Sequence, residues 1–571
     1  MKNRIKQYLL AASMCVGLTA CSDFFEPIPG VQFGLDETFA SKQRTEEYLN
    51  NVYSYVREVT DAIHPNTYGG IFTEASLDGA NRWNKTYAEW TNGSFNSASA
   101  QASEYFSKYY QAIAKASTFI QNVDKCTEAA ASTRGKWKSE ARALRAYYYF
   151  ELLRLYGPIP LIGEDPIPLD ASLEELIKER NSVDECVNFI ATELQSAIDS
   201  GDLLQRAGKA NLGRMDVATC MALKAKLYLY WASPLFNGNT DQASVKNKDG
   251  KQLFPQTEDN SKWAQARDAY ERFMTFATGQ GYKLTEVYTN GKLDPYASCR
   301  AAGEFFTTTW EAVDELIFVK LRDLYDYTYW VCPKFTDFQD TDVTGGGGYY
   351  TTQETVDLFF TKDGLTIEED PGYDKFEGIP GANNFTSGRY YDPNNPSRLY
   401  FDADKSKVLK QWKDREPRFY VNITYSGSIW LNEGKYNEEM RTDFTNGANG
   451  TCGKSKASGD CPDSGYLIRR GAKASNNNGS KHFSPVLRLA DMYLGYAEAL
   501  CMCSDLDNAL TYLNKIRVRA GIPEYTFTAT AGKITCPKTQ TDLLNRIRRE
   551  RLVELVFEWN RYFDVRRWKV A

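Results

Sequence analysis

Apolar residues recur at steps of three and four toward both ends of the chain. Ala141, Leu144, Tyr148, Leu152 and Leu155 form one such series, closed by the helix-ending pair Gly157-Pro158. Met221, Ala225, Tyr228 and Ala232 form a second, and Ala490, Tyr493, Ala497 and Leu500 a third. On a helix of 3.6 residues per turn each series occupies one face, so the spacing predicts amphipathic helices. Small residues alternate with tyrosine on these faces, which lets paired helices approach closely, as in tetratricopeptide-like hairpins. Between about Gly279 and His482 the pattern gives way to stretches rich in Gly, Asn, Pro and Asp, including Gly345 to Gly348 and Asn476 to Gly479. Those stretches predict loops with short strands.

The fold class expected is therefore mainly α. A tetratricopeptide-like helical-hairpin scaffold spans about 40–277 and 483–571, and an irregular, loop-rich part with short strands spans about 278–482. Nothing marks a linker, so residues 21–571 read as one domain. Long loops carried on a rigid scaffold are where function concentrates.

The first residues follow a different pattern. Lys2, Arg4 and Lys6 precede an apolar run from Tyr8 to Ala20, and Leu18-Thr19-Ala20 stands directly before Cys21. That order of charge, apolar core and small residues is a secretory signal over 1–20. The run is shorter than the about 20 residues a membrane-spanning helix needs. The Leu-Thr-Ala-Cys ending resembles a bacterial lipobox, which implies cleavage after Ala20 and lipid, palmitate included, on Cys21. Several acyl chains hold a protein at a membrane far more firmly than one.

Charge and composition narrow the function. Losing Lys2, Arg4 and Lys6 takes the formal charge of −6 further negative, so there is no basic footprint for nucleic acid. His64 and His482 are the two histidines, and neither lies in a metal-ligand spacing. No cofactor, metal or catalytic motif is expected. Of the twelve cysteines, Cys452 and Cys461 flank a short loop rich in Gly, Ser and Lys, where an exported protein would gain from a disulfide. Glu550, Glu554 and Glu558 are placed on one last helix with Arg551 and Arg561. Their spacing favours ion pairs along that helix over a catalytic carboxylate pair.

Aromatic residues make up 14% of the chain, with 37 tyrosines. Two clusters stand in polar surroundings. The first is Trp83, Tyr87 and Trp90, with Asp78, Asn81 and Arg82 just before it. The second comprises Tyr325, Tyr327, Tyr329 and Trp330, ahead of the Gly345 loop. The axial C–H face of a pyranose stacks on an aromatic ring while neighbouring polar groups satisfy its hydroxyls. Asp78, Asn81, Arg82, Trp83, Tyr87, Trp90, Tyr327 and Trp330 are accordingly the candidate glycan-binding residues. Core packing of the rings is the competing reading.

Several widely spaced motifs together resemble the SusD/RagB family of outer-membrane nutrient-binding lipoproteins. They are Cys-Ser-Asp-Phe-Phe-Glu from Cys21, Ala-Arg-Ala-Leu-Arg-Ala-Tyr-Tyr-Tyr-Phe-Glu-Leu-Leu from Ala141 running on to Leu161, and Gly213-Arg214. Downstream come Glu354 to Phe359 leading into Lys362-Asp363-Gly364, Arg415-Glu416-Pro417-Arg418, Leu487 to Leu500, and Arg549-Glu550-Arg551 through to Arg567-Trp568. The resemblance implies a non-catalytic, surface-exposed glycan binder, lipid-anchored in the outer membrane. It would act in polysaccharide utilisation as a hinged lid on a SusC-like TonB-dependent transporter. It also implies helical pairs that mainly contact the barrel and an irregular part that supplies the ligand surface. Family members usually continue for some tens of residues beyond the Arg-Arg-Trp block, so residues near Trp568 are expected to be more exposed here. The alternatives are a surface glycoside hydrolase, which would need two carboxylates at a suitable separation, or capture of peptide or another nutrient.

Overall fold

A computed structural model describes residues 34–570, apart from 58–62, 65–66, 69–70, 83–92, 166, 169–170, 304–312, 323–324, 336–344, 377, 431–439, 446–451, 454–459 and 473–481. The scaffold begins with α1 (Lys42–Tyr53), α2 (Ala100–Asn122), α3 (Ala131–Tyr156), α4 (Val183–Asp199), α5 (Val217–Ala232) and α6 (Ser261–Gly279). From α2 onward each helix packs on the next. Local chemistry sets their ends. Ser182 and Glu185 cap α4 reciprocally, and Asp216 accepts the Thr219 amide at 2.7 Å to start α5. Gly157 closes α3 at φ +73°, a conformation that suits glycine.

The chain then leaves the scaffold. In this irregular region β2 (Leu316–Arg322) pairs with β6 (His482–Arg488), and a four-stranded sheet has the order β4 (Ile423–Tyr425), β5 (Tyr466–Ile468), β3 (Tyr349–Tyr350), β1 (Ala80–Asn81), the last contributed by the segment between α1 and α2. Every pairing in that sheet is antiparallel. Short helices also occur here, among them α7 (Tyr325–Val331). The chain rejoins the scaffold with α8 (Leu489–Met502), which packs on α6, followed by α9 (Leu506–Ala520), α10 (Gln540–Glu554) and α11 (Asn560–Trp568). The molecule is mainly helical, as the periodicity predicts.

Two expectations change. The helices expected to bury one face are wrapped further: α3, flanked by α2 and α4, buries nearly every residue from Trp137 to Arg154. Glu558 also does not share a helix with Glu550 and Glu554. The chain breaks after α10, with Phe557 and Trp559 at φ +61° and +63°, before α11 starts. Consequently the ion pairs run between elements and not along one helix. Arg488 binds Glu315 at 2.8 Å, Glu554 at 2.7 Å and Glu558 at 2.8 Å. Arg418 binds Glu416 and Glu550, each at 2.6 Å. Arg517 meets Glu550 at 3.1 Å, Arg519 meets Glu315 and Glu554, and Arg470 meets Glu558. All ten residues are buried, and their charges balance five against five. Burial alone would raise the Glu554 carboxyl, but Arg519, Arg488 and Arg418 outweigh it and hold the group well below the usual range. A second network links Lys226, Arg551 and Arg567 to Asp491, Asp564 and Glu498.

Trp568 is 5% exposed and donates Nε1 to Glu498 at 2.7 Å. Its place in the second network, through the Arg567–Glu498 pair, explains the burial.

Candidate functional site

The carbonyls at the end of α7 need partners outside the helix. The run Gly345 to Gly348 supplies them. Gly346 N donates to Tyr329 O at 2.7 Å, Gly347 N to Cys332 O at 2.9 Å and Gly348 N to Trp330 O at 3.2 Å. The approach is so close that side chains are excluded. A Cβ on Gly345 would lie 2.4 Å from the carbonyl oxygens of Tyr329 and Cys332, and one on Gly346 would lie 2.7 Å from the Trp330 ring and 2.8 Å from the Tyr329 ring. The glycine run is thus a cap that fits against an aromatic pair. Tyr329 and Trp330 stand edge to face, with centroids 5.0 Å apart, and both are partly exposed.

The same run reaches the first cluster read from the sequence. Ala80 and Asn81 pair with Tyr350 and Tyr349, and the Arg82 amide donates to Gly348 O at 3.0 Å. The Arg82 side chain, 18% exposed, binds Asp463 at 2.5 Å and the Cys461 carbonyl at 3.0 Å. Lys334 pairs with Asp460 close by, since the Gly347 position faces both Lys334 N and Asp460 O. Tyr350 lies between strand and rim; burial and the charge of Asp463 raise its hydroxyl above the usual tyrosine value. The result is a polar rim of two matched ion pairs beside a partly exposed tyrosine–tryptophan pair.

The structure sorts the candidate residues. Arg82 and Trp330 come together through the glycine run. Asp78 and Asn81 are buried. Asp78 accepts from Arg561 Nη1 at 3.0 Å, and burial, partly opposed by Arg561, pushes its carboxyl up. It therefore ties this segment to α11 instead of facing a ligand. Tyr327 is also a core residue, donating its hydroxyl to Arg470 O at 2.6 Å. Trp83, Tyr87 and Trp90 lie outside the described residues, as does Cys21. Cys452 and Cys461 are both buried, and no disulfide joins them. The Cys461 sulfur lies 4.0 Å from Arg82 Nη1, and Cys452 neighbours Cys332. Lys334, Tyr350, Asp460 and Asp463 were not anticipated. The spacing of charged residues around the glycine stretches was the available signal, but it does not say which strand returns beside which.

Two family profiles match the chain. One, described as starch-binding associating with outer membrane, covers residues 32–229, and the other, described as the SusD family, covers 315–571. The chain belongs to the SusD family. A SusD-like protein of Bacteroides ovatus is 27% identical over 175 residues, which cover 29% of this chain and 30% of that protein, so the match spans less than a third of the relative's length. The solved structure of a SusD-like protein from Bacteroides fragilis superposes with a TM-score of 0.67 at 22% identity, covering 94% of this chain and 89% of that one. The surface glycan-binding protein A of Bacteroides uniformis gives 0.54 at 16% identity, covering 93% and 88%. The helical SusD architecture is thus shared well beyond recognisable sequence identity.

Proposed function

We propose that this SusD-family chain is a cell-surface glycan-binding lipoprotein that captures oligosaccharide and passes it to a SusC-like TonB-dependent transporter, on which it sits as a hinged lid. The observation that carries the binding role is the Tyr329–Trp330 pair, held by the glycine run beside the Arg82–Asp463 and Lys334–Asp460 pairs. The rings offer stacking faces for pyranoses, and the paired side chains offer donors and acceptors to hydroxyls. Because the two cations are already matched by carboxylates, the rim suits a neutral, hydroxyl-rich ligand. Trp83, Tyr87 and Trp90, which follow Arg82 in the chain, are kept as candidate ligand-binding residues on the sequence alone. A neighbour in fold that is named as a surface glycan-binding protein supports the reading, and so does the outer-membrane wording of the profile over 32–229.

No chemistry of its own is assigned to the protein. Glu550, Glu554 and Glu558, the carboxylates the sequence offered for hydrolysis, are buried among arginines. The anchor is placed on Cys21, facing outward from the outer membrane. The test is calorimetric titration of the mature chain with a panel of neutral oligosaccharides, together with recovery of a barrel partner by pull-down of the lipidated protein. Saturable binding weakened by Trp330→Ala supports the site. Binding that is unchanged in Trp330→Ala and Trp83→Ala, with the fold intact, overturns it, and failure to recover a barrel counts against the lid role alone.

A further inference from the structure

Among the described residues, buried charges without an ion pair are usually met by other polar groups, as Arg415 is by backbone carbonyls and Asp216 by backbone amides, but Arg469 is not. Arg469 follows β5, and its amide donates to Asn422 O at 2.8 Å. The residue is 7% exposed, yet among the described residues no carboxylate pairs with its guanidinium, and Nε has no acceptor. The guanidinium carbon lies 5.6 Å from the centroid of the Trp430 ring. Trp430 is 1% exposed, and its Nε1 likewise meets no acceptor. Thr424 stands opposite Leu467 in the β4–β5 register, so it shares a sheet face with Arg469. Its hydroxyl is buried and unpartnered as well. Arg300 adds a second positive charge nearby.

Arginine and tryptophan side chains only donate, and a threonine hydroxyl donates or accepts. A water placed among them could donate to the unpartnered Tyr400 and Tyr425 hydroxyls beside Arg469, but it would leave the buried charge uncancelled. Stacking on Trp430 offsets part of that cost but satisfies none of the N–H groups. A monoanion accepts from all of them and neutralises the site. We propose that Arg469, Trp430 and Thr424 form a buried site for a small monovalent anion, either a halide or a carboxylate.

The test is thermal unfolding of the full mature chain at constant ionic strength, exchanging sodium methanesulfonate for sodium bromide in one arm and for sodium acetate in the other. Binding at about ten times the dissociation constant raises the midpoint of a chain this long by about 1–2 °C. The expected result is such a rise in the wild type and none in Arg469→Met. A larger rise with acetate assigns a carboxylate, and a larger rise with bromide assigns a halide. Should Arg469→Met fail to fold, anomalous scattering from bromide-soaked wild-type crystals decides. A peak against Arg469 at millimolar bromide supports the site. Absence of any anion-specific shift together with absence of a peak overturns it, as does a peak seen only at molar bromide, an adventitious ion only.

Discussion

Trp330 owes its position to a neighbour without a side chain. Its ring lies against Gly346, and the Gly346 and Gly348 amides hold the end of α7. Replacing the ring in Trp330→Ala removes a stacking face worth about 1 kcal/mol, so glycan affinity should fall roughly five- to tenfold in calorimetry while the melting temperature changes little. Gly346→Ala attacks the same contact from the other side. A methyl 2.7 Å from the indole forces the ring or the loop to move, and overpacking of this kind costs about 1–3 kcal/mol. That variant should lose both stability and binding, measured by scanning calorimetry and by titration. At this scale the sequence was partly legible. It singled out Trp330 and Arg82 because aromatic and charged residues stood in polar stretches. Asp78 and Tyr327 looked identical in that respect, but Arg561 and the Arg470 carbonyl claim them, and both partners are remote in the chain.

Among the elements, α10 shows what periodicity conveys and what it omits. The helix itself was legible, but Glu550 and Glu554 point to arginines on three other segments. Intrahelical spacing carries no record of those. Removing one member of such a network strands its partners: Arg488→Met leaves Glu315, Glu554 and Glu558 short of a counter-charge. It should cost about 3–5 kcal/mol, seen as a large drop in melting temperature. Arg488→Lys keeps the charge but loses the planar fork, and should fall between.

The same pairs set the response to acid. Glu554 and Asp491 sit below their unfolded values because arginines, with Lys226 for Asp491, outweigh the effect of burial. A depressed carboxylate contributes its stability fully above the unfolded value of about 4, and that contribution is lost as pH falls from there toward the folded value. Thermal midpoints should therefore be level in respect of these groups near neutrality and decline progressively below about pH 4. Packing between α6 and α8 depends on a small residue in the same way as the loop does. A Cβ on Gly495 would lie 2.2 Å from the Tyr270 hydroxyl, and Gly495→Ala should lower the melting temperature without altering the proposed glycan site.

For the whole molecule, the mainly helical class was readable from the 3.6-residue period, whereas the strand Ala80–Asn81, inside the stretch read as helical scaffold, was not. The assembly of the site was not, because β1 and β5 belong to the same sheet while standing almost four hundred residues apart. Only tertiary pairing brings Arg82 to Asp463. The proposed anchor belongs to this scale too: Cys21→Ala should release the protein from the membrane fraction after a high-salt wash, with glycan affinity unchanged.

The junction of α6 with α8 constrains when the protein becomes functional. The helices up to α6 stack on near neighbours in sequence, so each has its partner soon after it is made. The exposed flank of α6 must wait until the irregular region has been made and α8 arrives. Closing so long a loop is a slow, non-local step. Until it is complete, the early helices stand as a half-built stack with an uncovered apolar edge, a natural target for chaperones.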